Sequence, residues 1–468
     1  MMPPGVSLLL SNQTARTSRI PGINKIVYVG GQRFIKKWLI ENFNEHFFER
    51  PWSQVVAEAE RHIKIPNFDH FEHLHSLGHL PLEIRTLPEG TLVPMGVPYL
   101  ISFNTHPDFA WLPNYLESLS SAEIWPAINS ATLALEYRKQ FDKAAEITGI
   151  DPEFVPWQGH DFSFRGMGGA YHSIISGIGH LTSFYGTDTI PAIYEIEKYY
   201  GCDGIIGGSV PATEHMIQCL YYDYKTGDES SYVKAILDAY PSGIVSMVSD
   251  GMDYWRMLTE EAPKFKDRIM SRDGKLVFRP DSGNPVEIIC GTGKPASLEE
   301  MKGSMSILMD IYGSTTNEKG YKVLDPHVGL IYGDAITPLR QRQILATLIR
   351  KGIQPNLVLG IGSMTYMGGD KDVPYWVSRD LFGIAQKATF AIIDGTPKDL
   401  FKAPKTDRGI KRSMKGIPYV TEDLTLVEEY SDLKDTGMLQ PVFINGKMFY
   451  ETNWNDIRSK IRQQIHEN

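Results

Sequence analysis

The sequence predicts an α/β protein, an irregular TIM-like α/β barrel joined to a mixed α+β domain built from both chain ends. Three observations carry this expectation. From about residue 151 to 387, short apolar runs recur every 25–50 residues or so, and a helical pattern usually follows each, as in strand–loop–helix units around a parallel sheet. A polar or glycine-containing stretch directly follows nearly every run, and in a barrel such positions converge on one rim, where active sites lie. The flanking stretches, residues 1–150 and 388–468, mix helical spacing with alternating apolar residues and are expected to pack together as one discontinuous domain.

In chain order, Gly30–Phe48 (GGQRFIKKWLIENFNEHFF) places apolar residues at helical spacing, and Trp52–His62 continues in that style. Leu80–Val97 alternates and is cut by Pro-Glu-Gly and Pro-Met-Gly, which reads as strands joined by turns. Helical spacing returns over Trp111–Tyr137. The barrel runs are Leu181–Pro191, Gly204–His215, Gly243–Trp255, Lys275–Pro285, Val328–Pro338 and Asn356–Tyr366. A doubly wound open sheet is the competing arrangement. The barrel is favoured because polar groups follow nearly every run rather than one or two, and because no GxGxxG fingerprint follows the first strand. From Ala388 strands return (ATFAII, then PVFINGKMFYET), separated by the basic segment Lys398–Lys415.

Composition bounds the function. The 468 residues carry 47 Lys+Arg against 56 Asp+Glu, a net charge of −9, which excludes a nucleic-acid-coating protein but not a local cationic site. A hydrophobic share of 42% with 22% charged residues excludes disorder, collagen and coiled coil. Cys202, Cys219 and Cys290 are too few and too scattered for a disulfide framework or a zinc site, so a reducing cytoplasm is the expected location. The early apolar run Val6–Leu10 is too short for a signal peptide core or a membrane span. His70, His73, His75 and His79 match no metal-ligand spacing, and no P-loop or Ser-His-Asp signature occurs.

Several run ends carry candidate chemistry. HDFSFRG (His160–Gly166) offers Phe162 for stacking on a ring and Arg165 for an anion, or else a buried Phe and an Arg paired to an acidic loop. Asp188, in GTDT, is either a helix N-cap or an acceptor for a ligand amide. GGSVPATEH (Gly207–His215) puts Glu214 and His215 on a first helical turn, structural or acid/base in role. In RPDSGNP (Arg279–Pro285), Arg279 can bind phosphate and Asp281 can accept sugar hydroxyls; the alternative is a polar turn with a surface Arg. YGDAIT (Tyr332–Thr337) and LGIGSM (Leu359–Met364) supply late glycines whose backbone N–H groups can hold a phosphate. The basic set Arg379, Lys387, Lys402, Lys405, Arg408, Lys411, Arg412 and Lys415 is either a solvated face or a site for a highly charged phosphate.

In this order GHLPLEIRTLPEGTLVP (Gly78–Pro94), HDFSFRG, FYGTDT, GGSVPATEH, VSMVSD, RPDSGNP, YGDAIT and the KRSMKG tail make the chain resemble the nicotinamide phosphoribosyltransferase family from roughly residue 3 to the end. The resemblance implies a type II phosphoribosyltransferase fold and a cytoplasmic homodimer with active sites shared across the interface. It implies the joining of nicotinamide to 5-phosphoribosyl 1-diphosphate, with Mg2+ carried mainly by the substrate diphosphate rather than by protein ligands. Neither nucleic acid nor membrane enters as a partner.

By the same resemblance His215, Arg279 and Asp281 form the catalytic group. Phe162 stacks on the pyridine ring, Asp188 holds its carboxamide, and Arg165 joins His215 and Arg279 at the diphosphate. Ser246 and Asp250 lie near the ring and the diphosphate. Asp281, Gly333 and Asp334 contact the ribose and phosphate side, and Gly362 and Ser363 the 5′-phosphate. Arg379, Lys387, Lys402 and Lys411 reach the phosphates, some across the interface, and Arg16 matches an arginine supplied by the partner. His215 also matches a histidine that some members phosphorylate with ATP as an activator.

The chain departs from the family pattern in three places. Ser363 and Met364 replace part of a glycine run, and Gly368–Lys371 lengthen the stretch before Arg379. The sequence starts at Met1-Met2-Pro3-Pro4-Gly5, after the point where the family has an Asp-Ser-Tyr-Lys-like segment. The tyrosine of that segment stacks on the second face of nicotinamide, so the expectation is that half of an aromatic sandwich is absent here, at a cost of about 0.5–1.5 kcal/mol. The alternatives are therefore a nicotinate phosphoribosyltransferase, which Asp188 disfavours by repelling a carboxylate, and a truncated, weakly active nucleotide-binding homologue.

Overall fold

The structure, a computed structural model, describes residues 2–333, 335–404, 406, 413–430 and 432–466. The chain divides into two units: Met1–Thr132 with Pro191–Ile206 and Val377–Asn468, and Leu133–Ile190 with Gly207–Trp376. The first boundary falls inside the 32-residue helix Glu117–Thr148, and Arg379 and Lys387 belong to the first unit.

The first unit is built on a seven-stranded antiparallel sheet to which both chain ends contribute. The strand Val6–Thr14 is buried from Leu9 onward and pairs with Pro98–Asn104 on one side and Ala385–Ile393 on the other. Leu82–Thr86 alternates buried and half-buried residues, the period-2 pattern of a one-sided strand, and pairs with Gln440–Ile444. The helical spacing seen from Gly30 becomes one turn of α-helix, Gly31–Phe34, that widens into π-helical turns over Ile35–Asn42. Glu89 is buried at the start of this helix and accepts from the backbone N–H groups of Gly30 and Gln32 at 2.8 and 2.5 Å and from Tyr200 Oη at 2.9 Å. Arg33 is almost fully buried between Glu123 (3.0 Å) and Glu195 (2.7 Å), so its charge is paired on both sides, as a buried charge must be.

The second unit is a parallel barrel. Six strands lie in the order Gly186–Thr187, Gly159–Asp161, Val358–Ile361, Val328–Tyr332, Gly274–Arg279, Gly243–Val248, all parallel to their neighbours. Val328–Tyr332 is buried along its whole length, as expected of a parallel strand covered on both faces. The two edges do not pair with each other directly. The segment Gly208–Ala212 closes the gap, with one parallel bridge from Gly208 to Gly186 and another from Ala212 to Ser246. Its backbone bonds are normal: Gly208 N to Tyr185 O and Ser246 N to Pro211 O, both 2.8 Å. The barrel is thus irregular because one of its staves holds only a single bridge on each side. Helices such as Ala170–His180, Ser304–Tyr312 and Pro338–Arg350 follow strands and bury one apolar face each.

Candidate active site at the barrel rim

The strand ends gather the predicted residues into one cleft. A cavity of about 660 Å3 is lined by Phe162, Arg165, Asp188, His215, Arg279, Asp281, Gly333, Gly362 and Ser363 among others. A second cavity, about 310 Å3, runs into the barrel and shares Phe162, Asp188 and Arg279 with the first; Ser246 lines it. Asp250 stands behind His215. Asp334 and Lys411 lie outside the described residues, as do Lys405, Arg408 and Arg412.

Phe162 follows the strand Gly159–Asp161, and its N–H donates to Ile361 O at 3.1 Å. Its ring lies 4.5 Å from that of His160, and a Cβ on Gly360 would come within 2.5 Å of Phe162 Cδ2. Glycine at 360 is therefore what makes room for the ring. Asp161 is fully buried and ties the neighbouring loops, accepting from Ser163 N at 2.8 Å and Thr189 Oγ1 at 2.7 Å.

Asp188 is not a helix cap. Its Oδ1 accepts from His160 Nε2 at 2.8 Å and from Ser209 Oγ at 2.7 Å. A carboxylate partner fixes the proton of His160 on Nε2. Partial burial pushes the Asp188 carboxyl up, but His160, Ser209 and the Arg279 charge outweigh it and hold it below the usual range. Asp188 is thus an anion whose second oxygen, Oδ2, takes no protein hydrogen bond among the described residues.

His215 opens the helix His215–Tyr221, with Glu214 at the N-cap position. Its Nε2 lies 3.1 Å from Asp250 Oδ1 and 3.3 Å from Asp281 Oδ1. Asp250, whose side chain is 2% exposed, also organises the RPDSG loop: its Oδ2 accepts from Asp281 N and Ser282 N at 2.9 Å and from Ser282 Oγ at 2.6 Å. Burial raises its carboxyl, yet these donors and His215 bring it below the ordinary carboxylate value. Tyr332 Oη donates to Ser282 O at 2.8 Å and locks the same loop from below. Arg279 Nη2 donates to Thr213 O at 2.9 Å, while its buried Nε has no partner among the described residues.

His215, Asp250 and Asp281 each offer one ligand atom within 4.8 Å of the others. Asp250 already accepts four hydrogen bonds, and imidazole suits softer ions than Mg2+, which prefers one or two carboxylates plus substrate phosphates. Asp281 is therefore the residue here that best fits Mg2+, in company with a bound diphosphate.

On the far side of the cleft, Gly333 N–H donates to Pro280 O at 3.1 Å, and a Cβ there would meet Asp281 Cβ at 3.2 Å. Gly362 precedes the short helix Ser363–Tyr366, and Ser363 packs directly onto Gly166, where any side chain would clash with it. The remaining basic residues belong to the first unit. Arg16 Nε donates to Gly383 O at 2.9 Å, Arg379 lies 3.3 Å from Asp380, and Lys387 lies 3.6 Å from Glu117. Lys402 N–H donates to Ser413 Oγ at 2.8 Å. His160, Ser209 and Asp161 are site residues that sequence reasoning leaves out. His160 and Asp161 open the HDFSFRG motif, and Ser209 lies within GGSVPATEH, so the signal is membership of motifs already singled out.

A barrel rim that sets an aromatic ring and an ionised carboxylate beside arginines and glycine loops has the groups an enzyme needs for ring-bearing and phosphorylated substrates. A model of the nicotinate phosphoribosyltransferase (NAPRTase) family matches residues 157–447, and the chain belongs to that family. It is 42% identical to the nicotinamide phosphoribosyltransferase of Acinetobacter baylyi (strain ATCC 33305 / BD413 / ADP1), over 99% of this chain and 94% of that protein. It is 30% identical to the nicotinamide phosphoribosyltransferase of Xanthomonas campestris pv. campestris (strain 8004), over 82% of this chain and 79% of that one. Among solved structures, nicotinate-nucleotide pyrophosphorylase from Pyrococcus furiosus superposes with a TM-score of 0.56 at 14% identity, covering 99% of this chain and 90% of that one. Human nicotinic acid phosphoribosyltransferase gives 0.52 at 13%, covering 98% and 89%. These two likenesses are of fold.

Proposed function

We propose that this chain joins nicotinamide to 5-phosphoribosyl 1-diphosphate, forming nicotinamide mononucleotide and diphosphate in NAD salvage. The observation that carries the reading is Asp188: an ionised carboxylate with one oxygen pinned by His160 and Ser209 and the other left for a donor, beside the ring of Phe162. A carboxamide N–H satisfies that oxygen, whereas the carboxylate of nicotinate is repelled by it.

In the reaction the pyridine nitrogen bonds to ribose C1 as the C1–O bond to diphosphate breaks, its electron pair leaving with the diphosphate. Positive charge builds on the ribose and negative charge on the leaving group. On this reading Arg279 and Arg165 take the latter and Asp281 the former, and the residues act by position and electrostatics without a covalent nucleophile. Asp281 would hold Mg2+ together with the substrate diphosphate, and the ion would supply charge neutralisation for the leaving group. His215 fits a role as phosphoryl acceptor from ATP: its Nε2 faces two carboxylates, which leaves Nδ1 for the phosphoryl group.

A homodimer is part of the same proposal. The helix bearing His215 exposes Met216 and Leu220 (58% and 73%), and Tyr224 follows at 75%, an apolar patch suited to a second copy. The cytoplasm fits the free cysteines, and among the described residues no helix is long and apolar enough to cross a membrane. The test is to incubate purified protein with nicotinamide, 5-phosphoribosyl 1-diphosphate and Mg2+. Formation of the mononucleotide with stoichiometric diphosphate is expected, and its absence refutes the reading.

A further inference from the structure

An α/β barrel is ordinarily filled by layers of large branched side chains. This one is hollow. The cavity of about 310 Å3 is lined at the strand ends by Phe162, Asp188 and Ser209, and at the strand starts by Phe154, Lys275 and Asn356. Lys275 and Arg279 mark the two depths, being the second and last residues of the strand Gly274–Arg279, about 13 Å apart along it. Space is left because Gly208, Ala212 and Gly329 face the interior where bulk would be usual. A Cβ on Gly329 would meet Lys275 Cδ at 3.1 Å, so the lysine stem lies in the room which that glycine leaves.

Among the described residues the Lys275 head group makes no hydrogen bond and no ion pair; its Nζ lies 5.9 Å from the centroid of the Phe154 ring. Burial alone pushes its ammonium below the usual lysine range. Within the same cavity Ser246 is 5% exposed and its Oγ is also unpartnered. An ammonium half-withdrawn from water without a partner is costly unless a ligand supplies the anion.

We propose that the Lys275 end of the barrel cavity is a binding site for a single-ring aromatic carboxylate, its ring held by Phe154 and Trp157 and its carboxylate paired with the Lys275 ammonium. The ring class follows from the aromatic lining, the charge from the unpaired lysine, and the size from a volume at the lower limit of ligand pockets. The cavity is polar in opposite senses at its two ends. An acid excluded at Asp188 is attracted at Lys275, while a neutral amide gains nothing there.

The test is direct binding of benzoate and nicotinate to the full chain by calorimetry or ligand-observed NMR near neutral pH, with benzamide as the uncharged counterpart and no phosphoribosyl donor present. Lys275→Met is expected to weaken both acids about tenfold or more, Lys275→Arg to retain them, and neither to alter benzamide binding. Equal affinity of benzoate for the wild type and Lys275→Met overturns the proposal. Should Lys275→Met fail to fold, the wild-type protein with 13C-methylated lysines decides: benzoate must shift the Lys275 resonance, and an unmoved resonance overturns the site. None of these readouts needs mononucleotide synthesis, so their failure leaves the proposed reaction standing.

Discussion

Replacing Asp188 by Asn changes one oxygen and leaves the frame intact. The amide oxygen of Asn takes the Oδ1 position and still accepts from His160 and Ser209, now 2.8 and 2.7 Å away, while its NH2 occupies the place of Oδ2. Nicotinamide then meets a donor where it had an ionised acceptor. Losing a charge-assisted hydrogen bond costs about 1.5–3 kcal/mol, so kcat/KM for nicotinamide falls about 10- to 150-fold. Nicotinate gains by the same change. Two unit charges about 4 Å apart repel by about 4 kcal/mol at an effective dielectric of 20. The Asp188 side chain is 45% exposed, and screening trims that to about 2 kcal/mol, a gain of about 30-fold for nicotinate. The nicotinamide-to-nicotinate ratio should drop by about 300-fold or more, read from initial rates with each base and separation of the two mononucleotides. A ratio that moves less than about threefold, or a nicotinate rate that does not rise, refutes the assignment of Asp188 to the base carboxamide.

Three other substitutions probe the cleft. Asp250→Asn replaces one acceptor oxygen of a buried carboxylate that takes four hydrogen bonds and should cost about 1–3 kcal/mol; an unchanged Tm contradicts that. Because the Asp250 carboxyl lies below its unfolded value, its contribution is present above about pH 4 and disappears as pH falls through the lower folded value, so the acid-side slope of Tm should flatten in Asp250→Asn. Gly360→Ala sets a methyl 2.5 Å from Phe162 Cδ2 and 2.9 Å from Tyr332 O. It should cost about 1–3 kcal/mol and raise KM for the base, and normal values of both would show that Phe162 is not held there. Gly166→Ala brings a methyl onto Ser363, 2.5 Å from its Cβ, and should raise KM for the phosphoribosyl donor while KM for the base stays near normal; the reverse split would remove Ser363 from the phosphate side.

The barrel was legible because its strands carry their own punctuation. VGLIYGDAITP and KLVFRPDSGNP each give an apolar run, a polar end and a helix start, and each falls where the structure puts a strand, a rim residue and a helix. The closing segment was legible only in outline. It lies within the run Gly204–His215, but Gly208–Ala212 holds single bridges at its two ends and contains Pro211, so its pairing is not written in its residues. The pairing of His160 with Asp188 spans 28 residues and that of Ser209 with Asp188 spans 21; both depend on strand order, which residue patterns do not specify. Asp188 preceding a helix looks like a cap for the same reason. The hollow interior was equally hidden: Lys275 opens an apolar run, where a lysine ordinarily reads as a solvated flank.

The most direct test of the account is the wild-type enzyme offered both bases. With saturating 5-phosphoribosyl 1-diphosphate and Mg2+, kcat/KM for nicotinamide should exceed that for nicotinate by about 30-fold or more, as the Asp188 charge requires. A preference for nicotinate contradicts it.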